Sequence, residues 1–305
     1  MASTLTLQNS MTWAQQFLRL RPLNLGSGNE PAISSGNLVR QTILGPPFRW
    51  RWNRATTAFL TVAAQQDNVL LLWRAAASVG LGWMLVDSNG NCQQVTVKGT
   101  TGGSAPTWNA VKGQNTTDNT VTWTNMGPVP SGSSGDPQSI CFIEHASTQS
   151  LATDMPASAW SPLEPKLALD LDSTPGPPRF IAAEFDDGLG DITFRLQPVP
   201  DTIYPVSITL QQKAPLFTAT TGLWTPIPDE FSYIYNWGFL ALMMLYADDA
   251  RFTVCNQKFV AHLLGAAQGL TATQINVFLN SWMAITGQPE WNAMRMTQGA
   301  QAQGV

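Results

Sequence analysis

TPIPDEFSY, Thr225 to Tyr233, is the stretch that decides the fold, because the character of the sequence changes across it. Two prolines, Pro226 and Pro228, interrupt any regular element. Upstream the signals are those of strands. Downstream the apolar residues recur at helical spacing, from Glu230 to about Ala247, from Arg251 to Gln268 and from Thr271 to Ile285. Asp229 stands where an N-cap belongs. The third segment opens with Thr271-Ala-Thr-Gln274, a capping box, and Gly269 marks the end of the second.

Working backward, Ala55 to Gln212 reads as antiparallel β: TTAFLTVAA, NVLLLW, GWMLVD, CQQVTVK, TVTWTN, ICFIEH, PRFIAAEF, DITFRLQPV and YPVSITLQQ, each bounded by turn residues. Asn89-Gly90 is a type I′ hairpin signal, and Asp186, Asp187, Gly188 and Gly190 mark a second turn. Within this region Gly99 to Pro130 stands apart, rich in Gly, Thr and Asn and carrying Trp108 and Trp123, and Val129 to Pro137 reads as a return linker. Short helices are expected over residues 10–20 and 31–44, the second stopped by Gly45, Pro46 and Pro47. The predicted class is α+β. An antiparallel β-sandwich or barrel-like domain spans 55–228, with a small β module inserted at about 99–130. It packs on a helical domain made from N-terminal helices (1–54) and C-terminal helices (229–286), and 287–305 is expected to be a flexible tail unless a partner orders it.

Charged residues are only 12% of the 305, and there are 12 tryptophans, so the surface is neutral and suited to association. Six arginines (Arg19, Arg21, Arg40, Arg49, Arg51, Arg54) face Glu30 alone in the first 55 residues, a net of +5 that leaves −9 for the rest. An acidic body argues against sequence-independent grip on nucleic acid. Cys92, Cys141 and Cys255 are odd in number and lack metal spacing, which points to a reducing compartment. No secretory signal is read at MASTLTLQNSMTW, and Phe231 to Ala247, with Ser232 and Asn236 inside it and Asp248 and Asp249 after it, reads as a buried helix and not a membrane span.

Chemistry-bearing patterns are sparse. His145 and His262 lie over a hundred positions apart with no orienting third group, so neither is assigned catalysis. Asp186, Asp187 and Asp191 lack the spacing of a calcium loop, and Asp248, Asp249 and Arg251 read as a local ion pair at a helix end. GTTGG and SGSSG make no phosphate cradle. No cofactor, metal or catalytic residue is assigned, and the chain is read as not an enzyme. The candidate working surface is FRWRWNR, Phe48 to Arg54. If it is extended, Phe48, Trp50 and Trp52 point one way and the arginines the other, serving core packing, a protein interface or nucleic-acid stacking. Candidate interface residues are Arg49, Trp50, Arg51, Trp52 and Arg54, with Trp282, Trp291 and Arg295 towards the C-terminus. Trp108 and Trp123 serve either as an aromatic platform for a sugar or as the minimal core of their module.

The order of these elements resembles that of tailed-bacteriophage head-to-tail adaptors of the tail tubular protein A type, the gatekeeper or neck-ring proteins. The resemblance is carried by PPFRWRWNR (Pro46–Arg54), LQPVPD (Leu196–Asp201), YPVSITLQQKAPLF (Tyr204–Phe217) and WTPIPDEFSYIYNWGFLALMMLYADD (Trp224–Asp249). PTWNAVKGQNTTDNTVTWTNMG (Pro106–Gly127) separately resembles a module that recurs in phage structural proteins. The resemblance implies a virion structural protein in the neck, assembled in the host cytoplasm. It would form a homo-oligomeric ring of twelve between the portal protein and a downstream tail or nozzle protein, with DNA passing through the lumen and no membrane contact. A tail-tube or tail-completion protein is the competing structural reading, and a carbohydrate-binding host-adhesion protein the competing reading of another class.

Overall fold

The structure, a computed structural model, describes residues 3–18, 31–130, 140–148, 153–155, 157–158, 174–186 and 191–287, and every structural statement below refers to these. The chain divides into two units, Met1–Asn53 with Ala214–Val305, and Arg54–Lys213. The fold is α+β. Ala214 to Pro228 belongs with the helices, because Phe217, Trp224 and Ile227 are buried in the helical core. The turn at Thr225–Tyr233 thus lies inside the helical unit.

The helical unit holds α1 (Leu7–Leu18), α2 (Ala32–Leu44), a 3₁₀ turn (Arg51–Asn53), a second 3₁₀ turn (Asp229–Phe231), α3 (Ser232–Tyr246), α4 (Phe252–Ala266) and α5 (Ala272–Thr286). α1 begins three residues before its expected start, because Thr6 and Asn9 cap it reciprocally: the Thr6 N–H donates to Asn9 Oδ1 (2.8 Å) and the Asn9 N–H to Thr6 Oγ1 (3.2 Å). Residues 19 and 20 of the expected helix lie outside the described residues. Asp229 does not cap α3; its carboxylate is taken by the N-terminal segment Ser3–Leu5. α5 carries both hydrogen bonds of the Thr271–Gln274 capping box and ends on left-handed Gly287 (φ +69°).

α3 is apolar on nearly every side, with Ile234, Tyr235 and all of Gly238 to Met244 buried, as befits a central helix. It packs against α1, α2 and α4. Each large side chain buried there contributes about 1.5–3 kcal/mol of transfer free energy. Gly238 permits the close approach: a β-carbon at that position would sit 2.8 Å from Phe259 and 2.9 Å from Val39. No helix of the described residues is long and apolar enough to cross a membrane.

The β unit runs β1 (Arg54–Leu60), β2 (Asp67–Leu70), β3 (Ser78–Val79), β4 (Met84–Val86), β5 (Asn91–Val97), β6 (Gly99–Thr100), β7 (Asn115–Asp118), β8 (Val121–Pro128), β9 (Ile140–Thr148), β10 (Thr153–Met155), β11 (Ala157–Ser158), β12 (Phe180–Asp186), β13 (Ile192–Gln197) and β14 (Pro205–Gln212). One sheet has the order β1-β14-β9-β10 and is antiparallel throughout. A second has the order β11-β12-β13-β2-β4-β5-β8-β7, with parallel pairs at β11–β12 and β2–β4, and β3 pairs with β6 in a third, two-stranded sheet. Phe59 from the first sheet and Phe194 from the second stack at 5.3 Å inside a shared core with Met84, Ile143, Ile208 and Leu210, which makes the pair a sandwich.

A second, smaller core gathers Leu71, Val79, Leu85, Val95, Val121 and Trp123, with Trp73, Trp83 and Trp108 packed against it. The small module therefore reaches back to Leu71, beyond the expected start at about Gly99, and β8 pairs with β5 as part of the large sheet. The Asn89-Gly90 turn is not type I′. Of the two, only Gly90 takes a positive φ (+75°), and Asp87 Oδ1 braces the turn by accepting the N–H groups of Asn89 (2.8 Å) and Asn91 (2.9 Å). Of the turn expected at Asp186–Gly190, Asp186 ends β12 and the rest, like most of the linker Val129–Pro137, falls outside the described residues.

Candidate interaction surface

Phe48 to Arg51 alternates in burial as its sequence predicts, with Phe48 and Trp50 buried and Arg49 and Arg51 exposed, and the pattern inverts at Trp52 and Asn53, the second of which is wholly buried. The extended geometry ends at Arg51, where the 3₁₀ turn lays Trp52 half-buried beside Trp50 instead of carrying it across a strand. Trp50 is fixed by its indole N–H, which donates to the Ile43 carbonyl at 2.6 Å.

From this anchor a continuous series of rings runs outward. Phe278 meets Phe48 edge-on at 5.0 Å, Phe48 stacks on Trp50 at 6.1 Å, and Trp50 on Trp52 at 5.2 Å. Trp52 then meets Phe231 at 5.9 Å, Phe231 meets Tyr233 at 6.5 Å, and Tyr233 meets the His262 imidazole at 5.2 Å. Tyr233 is 41% exposed, so the series begins in the core and surfaces at α3 and α4. Arg49 and Arg51 form no ion pair among the described residues. Rigid aromatic rings beside two uncommitted guanidinium groups are the composition of a protein interaction hot spot. Nothing in FRWRWNR alone announces Phe231, Tyr233 or His262 as members; the aromatic spacing of EFSYIY was the one available signal.

Several predicted interface residues sit elsewhere. Trp50 supports the surface from beneath. Arg54 opens β1 in the other unit and pairs with Glu144 (Nε to Oε2, 2.7 Å), whose second oxygen accepts from Gln211. Trp282 is 1% exposed, donates to Asn256 Oδ1 at 2.7 Å and packs on Phe259, so it is a core residue and not an interface one. The indole needed a polar partner once buried, and α4 supplies it. Trp291 and Arg295 lie outside the described residues. Trp123 is wholly buried and its N–H donates to Asp118, which removes it from any sugar platform; Trp108, edge-on to it at 5.6 Å, is half-buried.

Other charged groups are structural. Arg40 is buried on α2, where it donates to the carbonyls of Pro215 (2.8 Å) and Leu223 and stacks over the Phe217 ring; burial holds its pKa down to about 10. Arg251 pairs with Asp249 at 2.6 Å, and Asp191 with Arg74 at 2.5 Å. His145 lies in β9 opposite Thr209, in a different unit from His262. Cys92 and Cys255 are buried and Cys141 half-buried, all as free thiols; burial raises the Cys92 pKa to about 12. No cluster of three or more His, Cys, Asp or Glu among the described residues is placed to hold a metal ion. No protein-family model matches the sequence, and no curated protein matches it.

Proposed function

We propose that this chain is a head-to-tail adaptor of a tailed bacteriophage: identical copies close into a ring between the portal and the tail, and DNA passes through the ring. The observation that carries the reading is the surface formed by Arg49, Arg51, Trp52, Phe231 and Tyr233. A small domain leaves such a patch uncovered where a permanent partner covers it, and the portal-facing end of an adaptor is such a place. Support comes also from α5, which has no acidic or basic residue in Ala272–Thr286 and exposes Val277 (59%) and Ile285 (50%). A neutral helix face of this kind suits lateral contact between identical subunits in a closed ring. Outside the first 55 residues the net charge of −9 would keep DNA from adhering if it lines the lumen.

The copy number per particle tests this, measured by quantitative mass spectrometry of purified virions against the major capsid protein. About one ring, roughly twelve copies, is the expected outcome. Scores of copies would instead indicate a stacked tail tube, and absence from the particle would end the structural reading.

A further inference from the structure

The small β module contains a cleft of about 200 Å³ lined by Leu72, Trp73, Leu85, Asp87, Ser88 and Trp108, among others. We propose that it binds one ring of an uncharged saccharide, independently of the adaptor role. The reasoning starts from size: the cleft is smaller than the ~300–1,000 Å³ of sites for drug-sized ligands and suits a single ring. Its walls mix apolar and polar surface in nearly equal shares, the apolar part carried by Leu72, 38% exposed, and by the two half-buried indoles of Trp73 and Trp108.

Both indoles are set before any ligand arrives. Trp73 donates its N–H to Asp118 Oδ2 at 2.8 Å, and Trp108 rests edge-on against buried Trp123. A preset site saves the ordering cost of closing around a weak ligand. The polar groups define the ligand's charge. Asp87 lines the cleft, but its carboxylate already accepts the N–H groups of Asn89 and Asn91 and Gln93 Nε2 (2.7 Å), three of its roughly four acceptor sites, which leaves little of it for a cation. The neighbouring Arg74 is paired with Asp191, so no free guanidinium is offered to an anion. What remain are the Trp108 indole N–H and the Ser88 hydroxyl, which have no hydrogen-bond partner among the described residues. A ring-lined cleft of mixed polarity with two uncommitted neutral polar groups complements a molecule with an apolar C–H face and a hydroxyl rim. A pyranose ring has that form.

The intact 305-residue chain should be applied to an array of neutral, sialylated and sulfated glycans, and binders then titrated by intrinsic tryptophan fluorescence. Saturable binding of neutral glycans is expected. Leu72→Arg, at the exposed mouth, should weaken it at least about tenfold with no change in thermal unfolding; Trp108→Phe, which deletes only the N–H and part of the ring, should weaken it too. Binding of no glycan, binding of acidic glycans alone, or undiminished binding by Leu72→Arg would each overturn the proposal. Virion copy number bears on none of these results, so the two readings fail separately.

Discussion

Asp229 gathers the N-terminal segment onto one carboxylate: the hydroxyls of Ser3 (2.7 Å) and Thr4 (2.5 Å) and the N–H groups of Thr4 (3.1 Å) and Leu5 (3.3 Å) all donate to it. The Thr4 and Ser3 hydroxyls, assisted by the backbone N–H groups, hold its pKa down from 3.8 to about 2, against a smaller opposing effect of burial. The folded state thus prefers the ionised form. Stability from this group is fully present above pH 3.8 and is lost as the pH falls through about 2. The protection of the Thr4 and Leu5 amides, taken against their intrinsic exchange at each pH, should fall across that window while the α3 amides stay protected. Asp229→Asn should speed exchange at both amides at neutral pH and flatten the acid response; an unchanged acid response in the variant would show that another group holds the segment. None of this was legible in the sequence. Asp229 stands in a strong N-cap position, and the donors that claim it lie more than 220 residues away.

At the scale of elements, two glycines make opposite predictions. Gly238→Ala in α3 places a methyl within 2.8 Å of Phe259 and 2.9 Å of Val39, both wholly buried and unable to withdraw. Overpacking costs about 1–3 kcal/mol, which outweighs the gain of up to about 1 kcal/mol in helix propensity. Gly265→Ala in α4 meets nothing within 4 Å and keeps only the gain. Chemical denaturation should show the first variant destabilised by about 1–2 kcal/mol and the second stabilised by a few tenths to about 1 kcal/mol; loss in both would mean that the helix surface at Gly265 is not open. Elements were the most legible level of this fold. α2, α4 and α5 fall within about two residues of their expected ends, because caps, prolines and 3.6-residue periodicity act locally. The small module was placed too late, since Leu71 to Val97 reads as ordinary strand sequence and only its packing on Trp123 reveals a separate core. Trp282 failed as an interface residue for the same reason. A tryptophan near a chain end looks available until tertiary contacts bury it. Of the candidate surface, Arg49 and Arg51 were legible from their alternation, while the 3₁₀ turn that brings Trp52 beside them, and Phe231 and Tyr233, emerge only through the fold.

Across the whole molecule, the β unit is a single stretch, Arg54–Lys213, and the helical unit is split around it. The β unit opens and closes on paired strands: Arg54 lies opposite Gln211 in the β1–β14 ladder. Residues directly opposite in such a ladder are about 5 Å apart, so the points where the chain enters and leaves the β unit are neighbours. Excising 54–213 and joining Asn53 to Ala214 through about six glycine and serine residues, which span up to roughly 20 Å, should close the gap without strain. Each unit has its own buried core, and a unit with its own core can fold alone. Both pieces should therefore unfold cooperatively, and their amide spectra should overlay on the corresponding signals of the intact chain. A collapsed spectrum from either piece would show that its core depends on the other unit. The dissection also separates the two proposed activities. Arg49, Arg51, Trp52, Phe231 and Tyr233 all lie in the helical unit, and Trp73 and Trp108 in the β unit. The joined helical piece should compete with the intact chain for portal particles in a pull-down, and Arg49→Glu with Arg51→Glu should abolish the competition. The β piece should keep glycan binding and leave the portal untouched. Portal competition by the β piece would move the docking surface out of the helical unit and refute its assignment to these arginines and rings.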